Sequence, residues 1–285
     1  MSTVILGAGG MLGRALAREF PGATPCTREQ VDVTDAAAVR EVLTSGVSLV
    51  LNAAADTRVD LAESSDEHLA TNDVAVGALA ARCREVGARL VHVSTDYVFD
   101  GRGYRPYRED DRVRPVNVYG AGKLAGERKA LESGGRVLVV RTSWVFGSGG
   151  HNFVDTILKL AESGRQELKV VADQTGRPTW AADLALGIRL LVEVHGTGVV
   201  HFAGGGETTW FELARETLAL AGFEELALAP CTSAEFPRPA KRPAFSVLDT
   251  TKYQLLTGEA PRSWRKGLAL YVEERGVKRP PATPA

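Results

Sequence analysis

Cysteine is scarce in this chain and irregularly placed. Cys26, Cys83 and Cys231 are the three among 285 residues. An odd, unpatterned set excludes a disulfide framework and a zinc motif, and it points to a reducing compartment. Long apolar runs are also missing. None approaches the ~20 residues of a membrane-spanning helix, and the N-terminus enters a strand without a charged leader and cleavage site. Neither sign of charge dominates: 34 Lys and Arg stand against 35 Asp and Glu, for a net charge of −1. Neither nucleic acid nor an anionic membrane is therefore implied as a partner. His68, His92, His151, His195 and His201 show no metal-ligand spacing, and no internal repeat is visible. The expectation is a soluble cytoplasmic protein with no assigned metal.

What remains is ordinary globular composition, 44% hydrophobic and 24% charged. The length suits one large α/β domain, or a main domain with a smaller satellite. Five times an apolar run of strand length alternates with a helical pattern. That alternation predicts an α/β fold with a doubly wound parallel sheet.

The first run, Thr3-Val4-Ile5-Leu6, opens into Gly7-Ala8-Gly9-Gly10-Met11-Leu12-Gly13, and Leu16, Ala17 and Phe20 continue at helical spacing. Gly7 permits a tight turn, Gly10 lets backbone approach a pyrophosphate, and Gly13 lets helix and strand pack closely. The helix start then offers free N–H groups to phosphate. This strand, turn and helix predict a dinucleotide site. The weak second strand, Ala23 to Cys26, ends in Thr27-Arg28. An Arg there suits the 2′-phosphate of NADP, whereas an acid would suit the ribose of NAD. Asp32 and Val33 are expected near the adenine. The third strand ends in Asn52-Ala53-Ala54-Ala55, where small residues leave room in a crevice for a cofactor. NADPH is favoured over NADH.

Tyr119 and Lys123, in Tyr119-Gly120-Ala121-Gly122-Lys123, are four residues apart. On a helix that spacing stacks phenol and ammonium on one face, where the charge lowers the phenol pKa. Upstream, a buried strand delivers Ser94-Thr95-Asp96-Tyr97. His92 lies within that apolar strand, reads as a satisfied core histidine and is given no role. The charged loop from Arg102 to Pro115 is long enough to be functional, and the loop Pro237 to Pro243, with three prolines and three cations, could cover a site.

The glycine turn at Gly7, Gly10 and Gly13, the pair Ser94-Thr95 and the pair Tyr119/Lys123 together resemble the extended short-chain dehydrogenase/reductase family. Longer phrases are more specific: Ser94 to Gly101, Tyr119 to Glu127, Arg141 to Phe146 and Asp173 to Thr179 resemble dTDP-4-dehydrorhamnose reductases. The likeness covers about residues 3 to 275. It implies a Rossmann-type sheet (1–145 plus about 180–203), a smaller α/β C-terminal substrate-binding domain (about 146–179 plus 204–277) and a disordered tail (278–285). It also implies NADPH-dependent reduction of the 4-keto group of a dTDP-4-dehydro-6-deoxy sugar. Tyr119 would donate the proton, Lys123 would hold the nicotinamide ribose, and Thr95 would bind the ketone oxygen. Asn72 and Val93 join Met11, Leu12 and the residues above in the implied cofactor set. Asp96, Tyr97 and Trp144 would face the sugar; Asn152, Gln174 and Arg242 would hold the diphosphate, an Arg fork suiting phosphate oxygens.

Related dehydratases place a catalytic Glu where this chain has Tyr97, so dehydration is disfavoured. Some family members form magnesium-bridged homodimers through acidic side chains. Here the first helix carries Arg14-Ala15 early on, so no metal is assigned and assembly is left open. Two other readings remain: a regulatory subunit like the methionine adenosyltransferase beta subunit, and a 4-keto reductase for another dTDP sugar.

Overall fold

Short β-branched runs become the strands of one sheet because both of its faces are covered. The computed structural model describes residues 2–276, and the tail expected to be disordered, 278–285, lies outside them. The strands are β1 (Ser2–Leu6), β2 (Thr24–Cys26), β3 (Val47–Asn52), β4 (Arg89–Thr95), β5 (Arg136–Thr142) and β6 (Gly198–His201). They lie in the order β6-β5-β4-β3-β1-β2, all parallel.

Alternation along each strand sends residues to opposite faces. Val4, Leu6, Val50, Leu90 and Val139 meet one helical layer, which includes Val76, Leu79 and Ala80 of α3 (Ala75–Val86). Ile5, Leu51, Val91, Leu138 and Val140 meet the other. Leu16 of α1 (Met11–Glu19) and Leu184 and Ile188 of α6 (Ala181–Glu193) lie there. This is the doubly wound arrangement expected. Its strand order reverses between β1 and β3, and a crevice opens at such a reversal, beyond the carboxyl ends of the strands.

α2 (Ala36–Val42) is capped by Asp35, whose carboxylate accepts from the N–H groups of Ala37 and Ala38. α4 (Val118–Glu132) carries Tyr119 and Lys123. Its start is fixed by Asn117, whose Oδ1 accepts from Gly120 N–H at 2.8 Å, a side-chain cap of the usual kind. The helix comes close to its neighbours through glycine. A Cβ on Gly120 would stand 2.2 Å from the Tyr97 carbonyl oxygen, and one on Gly126 would stand 2.2 Å from that of Asn72. Arg141 and Glu127, at 2.7 Å and both buried, fasten α4 to β5.

The remaining elements build a second core around Phe146, Val154, Leu158, Leu213, Trp264 and Tyr271. α5 (Phe153–Glu162) and α7 (Trp210–Leu220) flank it. Short strand pairs join 145–146 to 179–180, 175–176 to 208–209, and 167–171 to 227–231.

The pattern from about Ser65 to Val86 predicts one long helical region, and the structure interrupts it: Glu67–Leu69 passes into a π turn at Ala70–Val74 before α3. The charged loop before α4 is pinned to the fold. Tyr107 stacks on Phe99 at 4.3 Å, and its N–H donates to the Val247 carbonyl at 2.8 Å.

Candidate active site

The glycine turn folds as its spacing demands. Gly7 has φ +76°, and a Cβ there would lie 2.7 Å from the Ala54 nitrogen. A Cβ on Gly13 would lie 2.1 Å from the Gly7 carbonyl oxygen, which rules out any side chain between strand and helix. Gly10, by contrast, is exposed and caps α1, and a Cβ there would meet the Gly7 carbonyl oxygen at an ordinary 3.6 Å. The turn edges a cleft of about 330 Å³, lined among others by Gly7, Gly10, Arg28, Asp32, Val33 and Ala53 to Ala55. This is the crevice at the strand-order reversal. Its bare backbone, helix start and small walls fit a dinucleotide's phosphates. Arg28 reaches it as a cation paired to Asp32 at 3.3 Å.

Other members of the expected cofactor set shape the wall or lie beside it. Asn72 is fully buried in the π turn. Its amide donates to the Asp56 carbonyl at 2.7 Å and accepts from Asp56 N–H at 3.0 Å, so it clamps the loop after Ala55. Thr27 packs against Gly9, and Met11 and Leu12 pack partly into the core. Val93 offers its carbonyl to Lys123 Nζ at 2.8 Å.

At the carboxyl end of β4 the catalytic candidates converge. Thr95 Oγ1 donates to Asp96 Oδ1 at 3.0 Å, accepts from Tyr97 N–H at 3.2 Å and lies close enough to the Tyr119 phenol to act on it. The Tyr97 and Tyr119 rings meet edge to face, 5.8 Å between centroids. Burial and the nearby Asp96 raise the Tyr119 phenol above its ordinary pKa. The expectation that Lys123 lowers it is therefore not met. Burial is the dominant cause, and Lys123 Nζ donates to the Val93 carbonyl and faces His92. Lys123 itself is brought down to about 8 by burial, with Glu127 opposing. Asp96 is pushed up to about 7 by burial, against the nearby Ser246 and Thr95 hydroxyls.

The sugar-side candidates divide. Trp144 is held at φ +48°, an unusual conformation for a bulky residue, and stacks on Trp210 at 3.5 Å. Gln174 serves that stack: its Oε1 accepts from Trp210 Nε1 at 3.1 Å, and its Nε2 donates to Ser233 at 2.8 Å. Asn152 caps α5, accepting from Asp155 N–H at 2.9 Å and donating to the Gly147 carbonyl at 3.0 Å. Its amide is thus engaged at the start of α5. Arg242 lies against Tyr97 and pairs with Asp60, which also accepts from Arg238 and Ala240 N–H. These contacts hold Asp60 down at about 2, chiefly through Arg242.

The sequence reading did not single out Asn117, Asp60 and Trp210, which the structure places against the candidate residues. Asn117 was findable as a cap residue before a helix. Asp60 and Trp210 become partners only through long-range packing.

A family model described as the RmlD substrate binding domain matches residues 1–276. The chain belongs to the RmlD family. A dTDP-4-dehydrorhamnose reductase of Streptomyces griseus is 43% identical over 281 residues, covering 93% of this chain and 91% of that one. A dTDP-4-keto-6-deoxy-D-glucose reductase of Streptomyces niveus is 40% identical over 254 residues, covering 86% and 87%. Among solved structures, a dTDP-4-dehydrorhamnose reductase from Clostridium acetobutylicum superposes with a TM-score of 0.93 at 37% identity, covering 97% of this chain and 100% of that one. One from Bacillus anthracis in complex with NADP gives 0.91 at 34% identity, covering 96% and 99%. RmlD membership makes this chain an NAD(P)H-dependent oxidoreductase of the dTDP-4-dehydrorhamnose reductase type. No helix among the described residues is long and apolar enough to cross a membrane.

Proposed function

We propose that this protein reduces the 4-keto group of dTDP-4-dehydro-L-rhamnose, with NADPH as the preferred reductant. The observation that carries the reading is the cluster at the end of β4. A protonated phenol and a hydroxyl share one buried corner, with an amine behind them, beside a cleft shaped for a dinucleotide. The NADP named for the Bacillus anthracis structure and the Arg28 cation in the cleft support the phosphate form.

When bound, the reduced nicotinamide supplies the hydride. Tyr119, whose raised phenol is fully protonated at neutral pH, donates its proton to the oxygen that becomes the alcohol. Positioned proton donation of this kind contributes about 10²–10⁴-fold. Thr95 holds that oxygen beside the phenol, and Lys123 stabilises the phenolate left after transfer. Tyr97 takes the place where a dehydratase needs a carboxylate base. Trp144 and Arg242 are assigned to the sugar and the diphosphate. The two-domain division is proposed with the same boundaries as the sequence suggested, the second core forming the substrate side.

The test is NADPH consumption and product identification on dTDP-4-dehydro-L-rhamnose and on dTDP-4-keto-6-deoxy-D-glucose, the latter because of the Streptomyces niveus relative. Faster turnover of the second sugar would reassign the substrate. Turnover of neither, with NADPH still bound, would overturn the reading.

A further inference from the structure

His92 and Asn52 lie outside every role assigned above, yet they form a buried polar chain that ends on Lys123. Asn52 is 2% exposed and His92 0%. Asn52 Oδ1 accepts from Ala54 N–H at 3.1 Å. A backbone N–H can only donate, so this contact fixes which way the amide faces. The amide nitrogen therefore points at His92 Nδ1, 3.1 Å away, and donates to it. A ring that accepts at Nδ1 carries its single proton at Nε2. That nitrogen faces Lys123 Nζ at 3.4 Å.

The consequence is directional. An ammonium has only donors, and a ring N–H opposite it is a second donor. An uncharged amine has a lone pair that the ring N–H can satisfy, while one of its own N–H bonds goes to the Val93 carbonyl. The chain Ala54, Asn52, His92 thus favours the uncharged amine.

We infer that His92, locked by Asn52 with its proton on Nε2, is a positioning residue that orients Lys123 and weakens its hold on a proton. The relevance to turnover rests on the function proposed above; the contact itself does not. A lysine that gives up its proton easily can restore the proton that Tyr119 has donated, and it is then recharged from solvent. The proton leaves Lys123 as H⁺ and is bound by the phenolate, so charge balances between the two groups.

Other groups act on Lys123 as well. Glu127, one turn on, favours the ammonium but is itself paired to Arg141 of β5. Tyr119 lies one turn back, and Asp96 and Asp56 act on that phenol from the end of β4 and the loop after β3. The lowered amine and the neutral histidine, driven well below its ordinary value by burial and Lys123, agree with the hydrogen-bond directions.

The test reads the protein without cofactor or sugar. Ring ¹⁵N-labelled histidine reports the tautomer of His92, assigned by its loss in His92→Gln. ¹³C-labelled lysine reports the Lys123 titration, assigned by its loss in Lys123→Met. Asn52→Asp is the decisive variant. A carboxylate cannot donate to Nδ1, so the ring proton moves there and Nε2 turns from donor to acceptor. The expected result is a wild-type Nε2–H ring, and in Asn52→Asp a Lys123 midpoint at least about one pH unit higher, a tenfold change in its charged fraction. His92→Gln, which can turn its carbonyl to the ammonium, moves it the same way. A wild-type Nδ1–H ring, or an unmoved midpoint in both folded variants, overturns the inference. Should Asn52→Asp fail to fold, the wild-type tautomer and His92→Gln decide alone. If the midpoints move while no dTDP sugar is reduced, the function above fails and this contact stands.

Discussion

Replacing Asp96 by Asn should stabilise the protein at alkaline pH and leave it nearly unchanged in acid. Asp96 is 2% exposed, and its carboxyl proton is held up to about 7 from an ordinary 3.8. A carboxyl raised by folding makes the native state bind more protons than the unfolded one, so stability falls as pH rises from about 4 to about 7. The full penalty is present above that window and absent below it. About three pH units at roughly 1.4 kcal/mol each set an upper figure of about 4 kcal/mol. Asn keeps an acceptor for the Thr95 hydroxyl, now 3.0 Å from Asp96 Oδ1, but its amide protons need partners. Ser246, which lies close to the carboxyl, is a candidate, and Oδ2 of the acid is buried without a partner among the described residues. The net gain should therefore be smaller, about 1–3 kcal/mol at pH ~8. Urea unfolding of variant and wild type at pH ~4 and ~8 measures it, since groups common to both chains cancel. A difference that does not grow between the two pH values, or that grows with the opposite sign, refutes the reasoning.

Three further outcomes follow from the site. Tyr119→Phe should lower turnover by at least about 10²-fold while NADPH fluorescence on binding is unchanged; full activity would remove the proton-donor role. Gly120→Ala places a Cβ 2.2 Å from the Tyr97 carbonyl, so α4 must move off the turn after β4, with activity falling and thermal unfolding coming several degrees earlier. Equal unfolding temperatures would show that the approach is not needed. Arg28→Ala should weaken NADPH by about tenfold or more and NADH little, read by titration of each; equal losses would separate Arg28 from the 2′-phosphate.

Much of this was legible because local chemistry and fold agreed. Gly7, Gly10 and Gly13 could be read singly, since a tight turn, a bare helix start and a close packing each demand glycine at a known step. Tyr119 and Lys123 were legible as one helix face. What the sequence hid depends on orientation. Lys123 looked like the charge that would lower the phenol, but its nitrogen turns to Val93 and His92. His92 looked like core because its neighbours in β4 are apolar; its two ring partners come from β3 and α4, 40 and 31 residues away. Asn152 and Gln174 were assigned to the diphosphate by resemblance alone. The fold uses those amides to cap α5 and to brace Trp210. No periodicity separates a polar side chain that meets a ligand from one that meets the backbone behind it.

The most direct test of the central claim is loss of reduced-nicotinamide absorbance with freshly made dTDP-4-dehydro-L-rhamnose, run with wild type and Tyr119→Phe. The account predicts stoichiometric NADPH consumption with a dTDP-deoxyhexose alcohol as product, and a rate in the variant lower by at least about 10²-fold. No consumption by wild type while NADPH binds, or equal rates in the two proteins, would contradict it.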